Sequence, residues 1–169
     1  PAPAQVTMAP TASSLRDSFE TKPSQCMVGS HPTRSEVKRL KKAIKANLRR
    51  LPCIYPGTEH TGWAWILMTP EQWTTTQQEA IDAFVEANPN NANVPTMPDY
   101  PTPTNPGMFA IVGDPSARQL DRDKALYDQK LELFTYKNNL MQACLQDMEK
   151  AIPTELIADL YDEDDELML

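Results

Sequence analysis

The sequence predicts an all-α protein, a helical bundle with a long central helix and an extended proline-rich connector. Apolar residues recur at helical spacing over residues 34–50 and 116–152, which indicates amphipathic helices. The chain has only five glycines in 169 residues, and neither stretch contains one. Seven of the sixteen prolines fall between Pro89 and Pro115, and this density excludes a helix or a central strand there.

The first amphipathic helix is predicted over residues 34–50. Thr33 and Glu36 have the spacing of a capping box, and Pro52 ends the helix. The face that this helix should bury carries Val37, Leu40, Ile44, Leu48 and Leu51. The other face is basic and carries Lys38, Arg39, Lys41, Lys42, Lys45, Arg49 and Arg50.

The segment that follows has no helical stripe, and residues 53–68 suggest a short β-like or extended apolar stretch. Residues 69–72 indicate a second helix start, with proline at the first helical position. Residues 76–79 have a third capping pattern, and Asn88-Pro89 stops that stretch. We expect the tryptophans of this region to lie in the core, with a ligand-stacking site as the alternative. They are Trp63, Trp65 and Trp73.

The longest pattern covers residues 116–152 and predicts a helix about 55 Å long if it is unbroken. A break or a bend is expected near Asn138-Asn139, and Pro153 starts a shorter helix. The apolar stripe predicts the spine of an intramolecular bundle, or in part a subunit interface. Its members are Leu120, Leu126, Tyr127, Leu131, Leu133, Phe134, Leu140, Met141, Leu145, Met148 and Ile152.

The domain organisation follows from the proline and charge distribution. We expect residues 1–32 to be disordered or poorly ordered, residues 33–161 to form one helical domain, and residues 162–169 to be an acidic, truncated terminus. The connector over residues 89–115 lies inside the domain. Its apolar side chains predict that parts of it dock on the core. These side chains are Tyr100, Met108, Phe109, Ile111 and Val112. Because the first residue is not methionine, we expect a piece of a longer product.

Charge is divided unevenly along the chain. Residues 1–51 carry ten Lys or Arg against three Asp or Glu, a net charge of +7, and residues 52–169 carry six against twenty, a net of −14. The total of −7 therefore hides a basic front end. Such asymmetry suggests separate partners for the two parts.

Several function classes have no support in the sequence. No apolar run is long enough to span a membrane, no signal peptide is recognisable, and three scattered cysteines fit a reducing compartment. Phosphate-binding loops, nucleophile elbows and zinc spacings are missing. We therefore predict a non-enzymatic protein without cofactor, metal or small-molecule substrate. The enzymatic alternative is a site built from Cys53, His60 and nearby acids.

The basic face of residues 34–50 is the candidate functional surface. Eight Lys or Arg in seventeen residues could contact RNA phosphates without sequence preference. No aromatic residue is interleaved with them, so base stacking is not predicted. Two other interpretations stay open, a solvated helix face and a helix that binds a membrane surface or an acidic partner.

Taken in order, the segments resemble the N-terminal half of the Gag capsid region of copia-type LTR retrotransposons of the algal and protist type. The resemblance covers residues 35–161. It consists of Leu51-Pro52, the Gly-x-x-His-x-Gly turn of residues 57–62 with its hydrophobic continuation, the short helix to Trp73, the Asn105-Pro106-Gly107 step and the pattern over residues 139–160.

Two features depart from that family. Its turn is usually richer in glycine, and its usual continuation after Leu160 is missing. The resemblance implies a structural protein that self-associates in the cytoplasm into virus-like particles around the element's RNA. It carries over no catalytic residue. The alternative is a non-catalytic helical adaptor that binds an acidic partner or a membrane surface through its basic helix.

Overall fold

The computed structural model describes residues 9–22 and 25–157. Over this part of the chain the structure is 60% helical, with six helices and no strand, so the predicted all-α class is confirmed. None of these helices is both long and apolar enough to cross a membrane. The elements are α1 (Ala12–Ser18), α2 (Arg34–Arg50), a 3₁₀ helix (Gly62–Leu67), α3 (Pro70–Ala87), α4 (Ala117–Ala151) and α5 (Thr154–Ile157).

The chain divides into two compact units. Among the described residues, the first contains 9–19 and 102–146, and the second contains 20–22, 25–101 and 147–157. The acidic terminus predicted over 162–169 lies outside the described residues, as does Leu160 of the predicted last helix. The domain limits predicted at residues 32 and 161 stay predictions.

The first unit contains a helix where the sequence predicted poor order. Thr11 caps α1, because its side-chain oxygen accepts a hydrogen bond from the Ser14 backbone at 3.3 Å. Leu15 is buried at 4% exposure, and the Asn139 amide donates to the Pro10 carbonyl at 2.9 Å. Capping and burial therefore stabilise residues 9–19, which pack against α4. The proline content of this segment does not predict either effect.

Helix α4 is continuous from Ala117 to Ala151, so the chain does not break near Asn138-Asn139. Its burial is uneven along its length. In its second half, Leu140 is fully buried, whereas Leu126 and Leu131 in the first half are 51% and 37% exposed. The predicted spine is thus confirmed only for the second half of the helix. Phe134 is half-buried.

In the second unit, α2 begins and ends where the sequence predicted. Thr33 and Glu36 form both hydrogen bonds of a capping box. Asn47 is buried, and its amide accepts from the Thr21 backbone N–H at 3.1 Å and donates to the Thr21 carbonyl at 3.0 Å. The apolar core along α2 consists of Leu40, Ile44 and Leu48. Val37, which the stripe also predicted to be inside, is 39% exposed and lies near the N-terminal end of α2.

Residues 62–67 form a 3₁₀ helix, so the β-like stretch predicted over 53–68 is wrong. This helix packs against α2. Gly62 makes the approach possible. Its φ is +51°, and a Cβ there would lie 2.6 Å from the carbonyl oxygens of Arg49 and Leu51. The turn therefore depends on a glycine that the end of α2 covers closely.

Helix α3 runs without interruption from Pro70 to Ala87, which confirms the start at Thr69 and the stop at Asn88. The third helix start predicted at residues 76–79 is wrong. The Thr76 hydroxyl instead donates to the Gln72 carbonyl one turn earlier, at 2.9 Å. A threonine followed three residues later by glutamate caps a helix only where the backbone is not already helical.

The predicted tryptophan core is confirmed, since Trp63, Trp65 and Trp73 are 3%, 1% and 1% exposed. Tyr100 joins them from the connector, with ring centroids 5.7 Å from Trp65 and 6.1 Å from Trp73. The Trp73 indole donates to the Pro98 carbonyl at 3.1 Å. Residues 98–100 thus dock on the core as predicted, and burial raises the pKa of Tyr100.

Candidate nucleic-acid interface

Helix α2 presents three different faces, as its residue spacing shows. At 3.6 residues per turn, successive residues turn by about 100°. The buried side chains occupy one arc, as described above. A second arc, also about 100° wide, holds six basic residues that we call the cationic stripe. Its members are Arg34, Lys38, Lys41, Lys42, Lys45 and Arg49.

The cationic stripe is open to solvent. Five of its six side chains are exposed, and Lys45 is half-buried. At 1.5 Å rise per residue the stripe is about 22 Å long from Arg34 to Arg49. Within the described ranges, none of the six forms an ion pair with an acid. Six positive charges therefore face the solvent along one edge of one helix.

The remaining two basic residues of α2 lie on a third face, and both are engaged. The Arg39 guanidinium donates to the Met27 carbonyl at 3.3 Å. Arg50 forms a salt bridge with Glu20. The structure therefore separates the seven residues predicted from the sequence. It places Lys38, Lys41, Lys42, Lys45 and Arg49 together and sets Arg39 and Arg50 apart.

Arg34 belongs to the stripe although it was not among the predicted residues. It occupies the first position of α2, directly after the cap at Thr33. A helical projection would have found it, because Arg34 lies one turn before Lys38 on the same arc.

The single acid of α2 does not neutralise the stripe. Glu36 lies on another arc, where it accepts from the Thr33 backbone N–H and hydroxyl, both at 2.8 Å. These two hydrogen bonds lower the pKa of Glu36. The negative charge of Glu36 is thereby held at the N-terminus of the helix, where it interacts favourably with the helix dipole.

At physiological salt, screening limits the distance over which acids elsewhere in the chain act on this surface. The Debye length is then about 8 Å, so exposed charges farther apart than that are largely screened. Neighbouring charges of the stripe are on average about 4.5 Å apart along the helix axis, less than one turn. Neighbouring charges within the stripe therefore lie well inside one Debye length of each other, and the net charge of −7 does not by itself describe the charge at this surface.

The enzymatic alternative gains no support from the residues proposed for it. His60 is exposed, and Cys53 is half-buried. The Cys53 backbone carbonyl accepts a hydrogen bond from the Thr58 hydroxyl at 3.3 Å. Across the residues that the structure describes, no group of three His, Cys, Asp or Glu side chains could hold a metal ion.

Comparisons of the chain with known protein families, with curated proteins and with solved structures find no match. The resemblance to Gag capsid regions therefore depends on the order and spacing of the segments quoted above. The geometry of the surface adds to it an extended, solvent-facing stripe of cations.

Proposed function

We propose that this chain is a non-catalytic structural protein of the Gag capsid type that binds RNA through the cationic stripe and self-associates into cytoplasmic particles. The observation that carries the proposal is the stripe itself. Six basic side chains share one arc of a well-capped helix, and none of them lies on the buried arc. The ordered resemblance to copia-type Gag supports the assignment to that class of protein.

The shape of the stripe suits a phosphate backbone. Lysine and arginine neutralise phosphates and release counterions, and this term has no sequence preference. A rigid helix presents the six charges in a line about 22 Å long. Since no aromatic side chain shares the arc, we expect contacts to phosphates and no stacking on bases.

The first half of α4 supports self-association. Leu126 and Leu131 are large apolar side chains with 51% and 37% exposure on one helix. Leu126 lies within about 40° of Leu140 around the helix axis and continues the face that is buried at Leu140. Leu131 lies about 140° from Leu126 and is exposed on another side of the helix. An apolar face that is open on one copy is a surface that a second copy could cover.

The RNA contact is tested by removing two charges from each of two faces of α2. Lys41→Gln with Lys45→Gln alters the stripe, and Arg39→Gln with Arg50→Gln alters the engaged face. Both variants lose two positive charges and keep good helix formers. Binding to a fluorescein-labelled uridine 20-mer is measured by anisotropy over a series of salt concentrations.

For the unmodified chain, six phosphate contacts to a single strand give a slope of log K against log salt of about −4. The stripe variant should have a slope shallower by about 1.4, whereas the control variant should keep the original slope. If both variants lose affinity equally, net charge rather than the stripe governs binding. If the unmodified chain has no salt-dependent affinity, the RNA-binding part of the proposal is refuted.

The adaptor function is distinguished by a second ligand. Vesicles of phosphatidylcholine with one quarter phosphatidylserine present anionic charge without a nucleotide backbone. Stronger retention on these vesicles than on RNA of equal charge concentration would favour the adaptor over the Gag-type function. Circular dichroism of each variant checks that α2 is intact.

Self-association is tested separately by sedimentation velocity of the full 169-residue chain over a concentration series. A weight-average sedimentation coefficient that rises with concentration supports the proposal. A constant monomer value up to high concentration, with and without RNA, would contradict it.

A further inference from the structure

The described residues include two features that the fold leaves open to solvent. In the connector, Met108, Ile111 and Val112 are 92%, 60% and 88% exposed. The docking on the core that the sequence predicted for these three residues is therefore wrong, and nothing in the structure shows what covers them. The second feature is the cationic stripe, and for this one the chain itself contains a segment of matching charge.

That segment follows Ile157, the last described residue of the second unit. Residues 159–166, which we call the acidic segment, hold six acids in eight positions and no lysine, arginine or histidine. The cationic stripe also has six charges, and five of its six side chains are exposed. The two sets are therefore equal in number and opposite in sign. The acids are Asp159, Asp162, Glu163, Asp164, Asp165 and Glu166.

The end of α4 is attached to α2 through one peptide group of the second unit. The Met27 carbonyl accepts from the Arg39 guanidinium at 3.3 Å. The Val28 N–H, in the same peptide group as that carbonyl, donates to the Ala151 carbonyl at 2.8 Å. The lengths of these contacts and of the peptide group place the Ala151 oxygen within about 9 Å of the Arg39 guanidinium. The chain therefore leaves α4 close to α2.

The acidic segment is long enough to reach the stripe from this point. Lys38 directly precedes Arg39 in the sequence, and Arg49 lies about 15 Å farther along the helix axis. Between Ala151 and Asp162, α5 contributes about 6 Å and the other seven residues contribute up to about 24 Å. The acids from Asp162 onward can therefore lie up to about 30 Å from the end of α4. This reach is longer than the stripe itself, which measures about 22 Å.

We infer that the acidic segment binds the cationic stripe of its own chain and competes there with RNA. A single exposed ion pair is weak, but a short linker holds a binding segment at an effective concentration on the order of 1 mM. A second copy at micromolar concentration offers the same acids far more dilutely, which favours the segment of the same chain. The competition with RNA rests on the function proposed above, whereas the contact within the chain does not.

Carbodiimide cross-linking tests the contact without RNA. The reagent joins a lysine amine to a carboxylate that lies beside it, and mass spectrometry of proteolytic peptides locates the bond. At low salt, we expect the full chain to form amide bonds between the acidic segment and the stripe lysines. Lys124 and Lys130 of the first unit serve as controls, because they are exposed like Lys38 and Lys41. In 1 M salt, where the Debye length is about 3 Å, cross-linking to the stripe should fall severalfold.

A mixture of isotopically labelled and unlabelled chains shows whether the bond forms within one copy. Cross-linked peptides that are wholly labelled or wholly unlabelled support the inference. Pairs of peptides with mixed label would identify a second copy as the occupant and overturn it. Equal cross-linking to Lys124 and Lys130 would also overturn it, because the acidic segment would then have no preference for the stripe.

The competition with RNA is tested by neutralising four acids in each of two places. The segment variant carries Asp162→Asn, Glu163→Gln, Asp164→Asn and Glu166→Gln. A control variant changes four exposed acids elsewhere in the second unit, so its net charge changes by the same amount. Its substitutions are Glu79→Gln, Asp82→Asn, Glu86→Gln and Asp99→Asn. Anisotropy with the labelled uridine 20-mer measures both affinities at the same low salt concentration.

We expect the segment variant to bind the 20-mer about twofold to tenfold more tightly than the control variant, since covering the stripe for half or nine-tenths of the time reduces the competent fraction by these factors. Equal affinities of the two variants would refute the competition. If cross-links to the stripe form but neither variant binds RNA, the contact within the chain is supported and the proposed function fails. If both variants bind RNA but cross-links to the stripe are absent, the inference is refuted while the proposed function stands.

Discussion

Replacing Leu140 with alanine should destabilise the first unit strongly, whereas the same change at Leu126 should not. Both residues are leucines in α4, so the gain in helix propensity is the same for the two variants. They differ in burial, since Leu140 is fully buried and Leu126 is 51% exposed. The difference in stability between the two variants therefore measures the effect of packing separately from that of helix propensity.

The expected difference follows from the carbon atoms removed. Each buried methyl or methylene group contributes about 0.8 kcal/mol, so Leu140→Ala loses about 2.4 kcal/mol before the cavity is counted. With the cavity, the cost should be about 3–4 kcal/mol. Leu126→Ala removes atoms that are already half hydrated, and its cost should be about 1 kcal/mol or less. Phe134→Ala should fall between the two, because that side chain is half-buried.

Urea unfolding followed by circular dichroism at 222 nm measures this difference, since α4 contributes the largest share of the described helix. With an m-value of about 2 kcal/mol per molar urea, Leu140→Ala should lower the midpoint by about 1.5–2 M. An equal loss for Leu126→Ala would refute the assignment of burial along α4. If that equal loss vanished on dilution, a second copy would be covering the first half of the helix in solution.

Two further predictions concern α2 and the glycines. Thr33→Ala should cost about 1 kcal/mol of stability. The stability that Glu36 contributes through its lowered pKa should be fully present above pH 4.5 and should disappear as the pH falls through the lower pKa of the folded state. A Glu36→Gln variant with the same pH dependence of stability would contradict this. Gly62→Ala should destabilise the protein far more than Gly113→Ala. Both glycines have positive φ, but only Gly62 is closely covered by backbone atoms. Equal decreases in melting temperature for the two variants would show that φ alone sets the loss of stability, at about 1–2 kcal/mol.

Local signals in the sequence predicted the parts of the fold that local physics decides. The capping boxes at Thr33 and Thr69 marked both helix starts, since each is satisfied within four residues. The stop at Asn88 likewise needs only the proline that follows it. The basic face of α2 was visible for the same reason, because helical spacing alone brings its members to one arc.

Tertiary contacts decided the parts that the sequence could not predict. The 3₁₀ turn at residues 62–67 exists because Gly62 fits against the end of α2, and a short apolar run by itself favours strand or helix equally. The division of the basic residues depends on Glu20 and on the Met27 carbonyl, both remote from the helix in sequence. Burial along α4 depends on which parts of its apolar stripe pack against another segment. The periodic pattern of apolar residues does not identify those parts.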